Sequence, residues 1–64
     1  MTLRFIGADG SMGLKHGEAY WVDITTPFTF SGPYLRVRIY LGGNNVVDCP
    51  YSSPQSFAKN WEAV

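Results

Sequence analysis

The sequence predicts a small, mainly β domain, a barrel of four to five antiparallel strands with a short C-terminal helix. Apolar and polar residues alternate over several short segments, which is the pattern of half-buried strands. Seven glycines and four prolines separate those segments and supply turns. Strands do not alternate with long helices, so a parallel sheet of βαβ units is excluded. The 64 residues leave room for one domain, which we assign to 1–64.

The first half of the chain contains two alternating segments joined by a glycine-rich loop. Residues 2–6 predict one strand and residues 18–25 predict the next. The second strand divides into an inward set, Tyr20, Val22 and Ile24, and an outward set, Trp21, Asp23 and Thr25. In the loop over 7–14, glycines are expected at positive φ, with Met12 and Leu14 packed against the core. His16 and Gly17 are expected to form a tight turn into the second strand.

The second half of the chain contains the clearest strand and a hairpin. Residues 34–41 predict that strand, residues 42–45 its turn, and residues 46–49 a return strand that stops at Pro50. The strand has an inward set, Leu35, Val37, Ile39 and Leu41, and an outward set, Tyr34, Arg36, Arg38 and Tyr40. The preceding segment, 26–33, is expected to be a long loop, with a short edge strand in its middle as an alternative.

The last segment changes from strand to helix periodicity. Ser53 followed by Pro54 predicts an N-cap with proline at the first helical position. Ser52 with Gln55 three residues later forms a competing capping box. Phe57 and Trp61 lie four residues apart, so we expect both on one side of a helix of roughly two to three turns. That side would dock on one open end of the barrel.

Composition limits the chemistry that the chain can carry. Five basic and five acidic residues cancel, so the strong positive field of most nucleic-acid-binding proteins is lacking. Four Phe, four Tyr and two Trp predict an aromatic core. One cysteine excludes a disulfide within the chain, and Cys49 with His16 is too small a set for a closed metal site. We expect no cofactor, no membrane segment and a cytoplasmic location.

The residues that most often carry catalysis are sparse and scattered. Nothing in the sequence brings His16 to Cys49, and Cys49 is more simply a small apolar residue at a strand end. The acids show no paired-carboxylate pattern. We therefore predict that the chain is not an enzyme. The glycines at 7, 10 and 13 lack the spacing of a nucleotide-binding motif, although consecutive turn amides remain an alternative anion cradle.

The outward side of the strand over 34–41 is the strongest candidate for a binding site. Two arginines alternate there with two tyrosines, residue types that are enriched in protein interfaces and that also stack on nucleotide bases. The predicted binding residues are Tyr34, Arg36, Arg38, Tyr40, Trp21, Phe28 and Phe30. The structural alternative is that rings from neighbouring segments simply cover this strand.

Three stretches of the sequence resemble small proteins encoded by bacteriophages and prophages. They are an opening Phe5-Ile6-Gly7-x-Asp9-Gly10-Ser11-Met12-Gly13-Leu14, then Gly17-x-x-Tyr20, and finally Cys49-Pro50-Tyr51-x-Ser53 with Phe57-x-x-Asn60-Trp61. The resemblance implies an SH3-like barrel and no assigned activity. It covers both ends of the chain, whereas residues 25–46 diverge from the pattern and would hold the specificity.

These observations support one leading hypothesis and two alternatives. The leading hypothesis is a phage-encoded, non-enzymatic protein that binds a host protein and inhibits it by steric occlusion, as a host-interaction or anti-defence factor. It would act in the host cytoplasm. The alternative is a small barrel that binds nucleic acid or nucleotides through the same face. The second alternative is a structural or virion component that assembles into a homo-oligomer through strand edges.

Overall fold

The computed structural model of the chain describes residues 1–26 and 33–64. Its elements follow one another as β1 (Thr2–Phe5), β2 (Ala19–Thr25), β3 (Leu35–Gly42), β4 (Asn45–Tyr51), α1 (Pro54–Ala58) and β5 (Trp61–Ala63). All strand pairs are antiparallel. The prediction of a mainly β fold with a short C-terminal helix is therefore confirmed. The predicted edge strand within 26–33 falls largely outside the described residues.

The five strands form one sheet in the order β4-β3-β2-β1-β5. The sheet is open among the described residues, because β4 and β5 lie at opposite ends of the order. The closed barrel expected from the sequence is thus not present as a hydrogen-bonded ring of strands. Helix α1 contacts both β4 and β5, so it lies where the two edges of the sheet approach each other. No helix in the described part of the chain is long and apolar enough to cross a membrane.

The core lies on one side of the sheet and mixes aliphatic with aromatic residues. Its buried members are Leu3, Phe5, Leu14, Val22, Leu35, Val37, Ile39, Tyr51 and Trp61, with Tyr20, Cys49 and Phe57 packed partly against them. The Phe5 and Trp61 rings meet edge to face at 5.2 Å between centroids. Such contacts add to the burial of the rings, which compensates for the small size of the chain.

Three residues expected in the core are exposed. Met12 is 38% exposed and takes a positive φ of 55°. Leu41 is also 38% exposed. The β3–β4 register shifts between Tyr40 and Gly42, so Leu41 lies at a bulge and leaves the inward side of β3. Ile24, near the end of β2, is 37% exposed.

The C-terminal helix is shorter than the sequence suggested. Ser53 is the N-cap, and its Oγ accepts a hydrogen bond from the Ser56 amide at 3.1 Å. The helix therefore begins in the Ser53 register and not in that of the Ser52 capping box. The helix ends at Ala58, and Asn60 Nδ2 donates to the Ser56 carbonyl at 3.0 Å. Trp61 was expected in the helix but begins β5, where it pairs with Phe5. The hydrogen bonds of strand pairing with β1 stabilise this segment more than one further turn of so short a helix would.

Strand β4 continues through Pro50, which the sequence suggested as its end. Pro50 lies opposite Arg36 in the sheet. Proline removes one N–H donor, which a central strand does not tolerate. Because β4 is an edge strand, the missing donor faces no further strand and pairing continues to Tyr51.

Candidate functional site

The predicted binding strand presents its polar side outward. Arg36 and Arg38 are exposed, Tyr34 is 53% exposed and Tyr40 is 37% exposed. Because successive side chains of a strand point to opposite sides, these residues lie on the other side of the strand from the buried Leu35, Val37 and Ile39 of β3. We call the exposed side of β2, β3 and β4 the outer face. It consists of three rows of cross-strand neighbours: Trp21, Tyr40 and Val46; Asp23, Arg38 and Asp48; and Thr25, Arg36 and Pro50.

The first row of the outer face is apolar. Trp21 pairs with Tyr40, and Tyr40 pairs with Val46 on the other side. Trp21 is 57% exposed and Val46 is 45% exposed. Directly opposite residues in antiparallel strands bring their Cβ atoms to about 5 Å, so the three side chains form one continuous surface. The pairing of three strands holds this apolar row in a fixed arrangement on the outside of the sheet.

The second row of the outer face is charged, and its charges are satisfied internally. Arg38 Nε donates to Asp48 Oδ1 at 3.0 Å, and the Tyr40 hydroxyl donates to Asp23 Oδ2 at 2.7 Å. The charge of Arg38 is therefore paired with that of Asp48 on β4. Asp23 of β2 accepts the hydrogen bond from Tyr40 of the first row. These bonds link all three strands and orient Arg38 and Tyr40.

The same bonds set the pKa values in this row. The hydrogen bond from Arg38 holds the pKa of the Asp48 carboxyl below its usual value of 3.8, and nearby Arg36 lowers it further through its charge. The hydrogen bond to Asp23 raises the pKa of the Tyr40 hydroxyl above 10.0. At neutral pH Asp48 is therefore a carboxylate and the Tyr40 hydroxyl keeps its proton.

The third row contains a cation that is not paired. Arg36 lies between Thr25 and Pro50, neither of which carries a charge. No carboxylate in the described chain lies within ion-pairing distance of Arg36, and residues 27–32 contain no Asp or Glu. A depression of about 160 Å³ is lined by Arg36 together with Asp23, Thr25, Arg38 and Asp48. The Arg36 guanidinium is thus an available donor at the rim of a polar depression.

The structure brings five of the seven predicted site residues onto the outer side of the sheet or next to it. Trp21, Arg36, Arg38 and Tyr40 share the outer face, and Tyr34 precedes β3 directly. Phe28 and Phe30, the other two predicted binding residues, lie outside the described residues. Asp23, Asp48 and Val46 belong to the same surface but are not among the predicted binding residues. The period-two pattern of β2 does indicate Asp23, whereas the register of β4 decides the other two.

The glycine-rich loop over 7–14, considered as an anion cradle, uses most of its amides from Gly10 onward, whereas those of Gly7, Ala8 and Asp9 donate no hydrogen bond within the described chain. From Gly10 to Glu18, every backbone N–H except that of Met12 donates a hydrogen bond within the described chain. The acceptors include Asp9 Oδ1 for the His16 amide and the Tyr20 hydroxyl for the Lys15 amide. An anion bound by the hydrogen-bonded amides would have to displace these acceptors. The hydrogen bonds hold this part of the loop in place between β1 and β2.

His16 and Cys49 occupy separate structural settings. His16 Nδ1 is 2.9 Å from the Gly7 carbonyl within the loop between β1 and β2. Cys49 lies in β4 opposite Val37 and packs partly against the core. No hydrogen bond joins the two side chains in the described part of the protein, and residues 1–26 and 33–64 contain no metal-like cluster of three or more His, Cys, Asp or Glu. Their positions are explained by loop and core structure.

Comparison with known proteins adds no relative to this picture. No protein-family model, curated protein or solved structure matches the chain significantly.

Proposed function

We propose that this chain is a non-enzymatic binding protein of the SH3-like barrel type, encoded by a bacteriophage or prophage. In this proposal the outer face of β2, β3 and β4 engages a host protein. The chain then acts by covering a surface of that host protein, as a host-interaction or anti-defence inhibitor. The phage origin extends the resemblance of the two chain ends to phage and prophage proteins.

The apolar row of Trp21, Tyr40 and Val46 is the observation that carries the proposal. Large apolar side chains are usually exposed singly, whereas here three adjacent ones lie side by side on paired strands. Tryptophan, tyrosine and arginine are enriched among the residues that dominate the energetics of protein interfaces. The bonds of Arg38 and Tyr40 fix the neighbouring polar groups before any partner binds.

Local charge favours a protein partner over nucleic acid. Asp23 and Asp48 border both sides of Arg38, so the middle of the outer face carries no excess positive charge. Nucleic-acid affinity comes chiefly from cations that replace counterions on the phosphates. Arg36 alone contributes little of this electrostatic affinity for nucleic acid.

Edge-to-edge assembly has weak support from the same structure. Pro50 removes a donor from the edge strand β4, and the other edge strand, β5, spans only three residues. Prolines and short strands at sheet edges hinder pairing with another chain. This geometry supports a face-mediated rather than an edge-mediated interaction.

The barrel assignment is supported by the contacts between the two sheet edges. Tyr51 ends β4 and Trp61 begins β5, and the Trp61 indole N–H donates to the Tyr51 hydroxyl at 2.9 Å. Phe57 of α1 packs edge to face on Tyr51 at 5.7 Å. Side chains thus bridge the gap that backbone pairing leaves open, as expected for a small partly open barrel.

The proposal is tested by affinity capture from host cells with paired variants, read by mass spectrometry. Arg36→Glu is compared with Lys59→Glu, which makes the same charge change just after α1. Trp21→Ala is compared with Met12→Ala, which removes an exposed side chain from the loop between β1 and β2. Two-dimensional NMR spectra first establish that each variant is folded.

We expect the wild type and both control variants to retain one host protein that Trp21→Ala loses. Capture that is insensitive to Trp21→Ala would exclude the outer face as the binding surface. Binding of single-stranded oligonucleotides that weakens steeply with added salt would indicate nucleic-acid recognition instead. A mass that rises with concentration in sedimentation would indicate self-assembly.

A further inference from the structure

We infer that the partner presents an extended segment carrying a carboxylate for Arg36 and, about 13 Å away, an apolar side chain for the Trp21–Tyr40–Val46 row. This inference rests on the proposed function and specifies the partner's chemistry. It follows from the one unpaired cation of the outer face, the charges around it and the spacing of the rows.

Arg36 differs from the other arginines of the described chain in having no ionic partner. Arg38 is paired with Asp48 at 3.0 Å, and Arg4 is paired with Glu62 at 3.5 Å. Arg36 has no such pair although it belongs to the same face. A guanidinium offers five N–H donors in a planar arrangement, so a carboxylate of the partner can accept two parallel hydrogen bonds from it.

The neighbouring acids determine which anion suits Arg36. Asp48 is close enough to Arg36 for their charges to interact, yet its Oδ1 atom is bonded to Arg38. Asp23 lies across the same depression. A phosphate group with nearly two negative charges would be repelled by both carboxylates, whereas a carboxylate carries half that charge. The surroundings therefore favour a single carboxylate from Asp or Glu.

The spacing of the rows follows from β3 itself. Arg36 and Tyr40 are four residues apart on one strand, which at about 3.3 Å per residue separates their rows by about 13 Å. An extended partner segment laid along β3 spans that distance with side chains at positions i and i+4 on one side. Either chain direction satisfies the geometry, because the two anchors lie at opposite ends of the face.

The test is selection from a random dodecapeptide display library on four immobilised proteins. They are the wild type, Arg36→Gln, Trp21→Ala and the control Lys59→Gln, each verified as folded by two-dimensional NMR. Wild type and Lys59→Gln should enrich peptides with Asp or Glu four residues from Trp, Phe, Leu or Ile. Arg36→Gln should lose the acidic preference, and Trp21→Ala should lose the apolar preference.

A synthetic copy of the most enriched peptide provides the quantitative measurement. Changing its acidic residue to the matching amide should weaken binding to the wild type on the order of tenfold, and should not affect binding to Arg36→Gln. Enriched peptides without acids, an acidic preference that survives in Arg36→Gln, or no enrichment on the wild type would each overturn the inference. Host-protein capture that Trp21→Ala abolishes and Arg36→Gln leaves intact would overturn it while preserving the proposed function.

Discussion

Arg38 and Asp48 face each other across the β3–β4 hairpin because the register shifts at Leu41. Gly42 pairs with Asn45, so an unshifted hairpin would place Cys49, four residues onward, opposite Arg38. The observed partner is Asp48, with Nε and Oδ1 3.0 Å apart. One extra residue in β3 thus turns Asp48 outward and lets Cys49 and Tyr51 pack toward the core. The charge balance of the outer face depends on this bulge.

The first prediction concerns the acid titration of Asp48. Its lowered pKa means that the folded state holds this proton less tightly than the unfolded state does. The stabilisation is therefore complete above about pH 4 and is lost as the pH falls through the lowered pKa of the folded state. Arg38→Gln should raise the Asp48 pKa toward its ordinary value, and Arg36→Gln should raise it less.

Carbon-detected NMR of the Asp48 carboxyl measures this pKa directly. Lys59→Gln serves as the control, since it removes a positive charge outside the outer face. An unchanged Asp48 titration in Arg38→Gln would contradict the assigned ion pair.

The second prediction concerns stability in alkali. Burial raises the pKa of the Tyr51 hydroxyl well above 10.0. The unfolded state therefore loses its tyrosine proton first, and stability should fall as the pH rises above about 10. Tyr51→Phe should reduce this alkaline loss, although the raised pKa of Tyr40 leaves part of it in place. Urea unfolding at several pH values between neutrality and alkali measures how the free energy of unfolding changes with pH.

The control for this experiment is Tyr34→Phe, because Tyr34 is 53% exposed. We expect that variant to lose stability in alkali as the wild type does. If both phenylalanine variants follow the wild-type slope, Tyr51 is not protected by burial.

The third prediction separates the two capping registers of α1. Ser53→Ala removes the acceptor of the Ser56 amide and should lower the free energy of unfolding by about 0.5–2 kcal/mol. Ser52→Ala should change it by less than about 0.5 kcal/mol, since Ser52 is exposed. Urea unfolding of the two variants measures the difference. A larger effect at Ser52 would mean that the capping box with Gln55 forms in solution.

The fourth prediction concerns the close approach of β1 and the α1–β5 turn at Gly7. A methyl group there would overlap Asn60 Oδ1 and the ring of Phe5. Gly7→Ala should therefore destabilise the protein by about 1–3 kcal/mol. Gly43→Asn is the matched control: Gly43 has a φ of 58° and open space around it, and asparagine tolerates that conformation. Thermal unfolding that ranks Gly43→Asn below Gly7→Ala would refute the packing.

The sequence by itself determined the first four strands in outline and which side of β3 faces the core. Leu35, Val37 and Ile39 alternate with Arg36 and Arg38, and period-two geometry leaves only one way to bury them. Ser53 with Pro54 likewise determined where α1 begins, because both signals are local.

Tertiary structure decided what no local pattern contains. Trp61 is four residues from Phe57, which suits a helix, yet pairing with Phe5 of β1 makes it a strand residue. Asp48 reaches Arg38 only through the bulge at Leu41, and Arg36 faces Pro50 and has no ionic partner among the described residues. Register and the end of a short helix depend on partners far along the chain. Local periodicity therefore predicts the elements, and long-range pairing decides which charges on the outer face remain available.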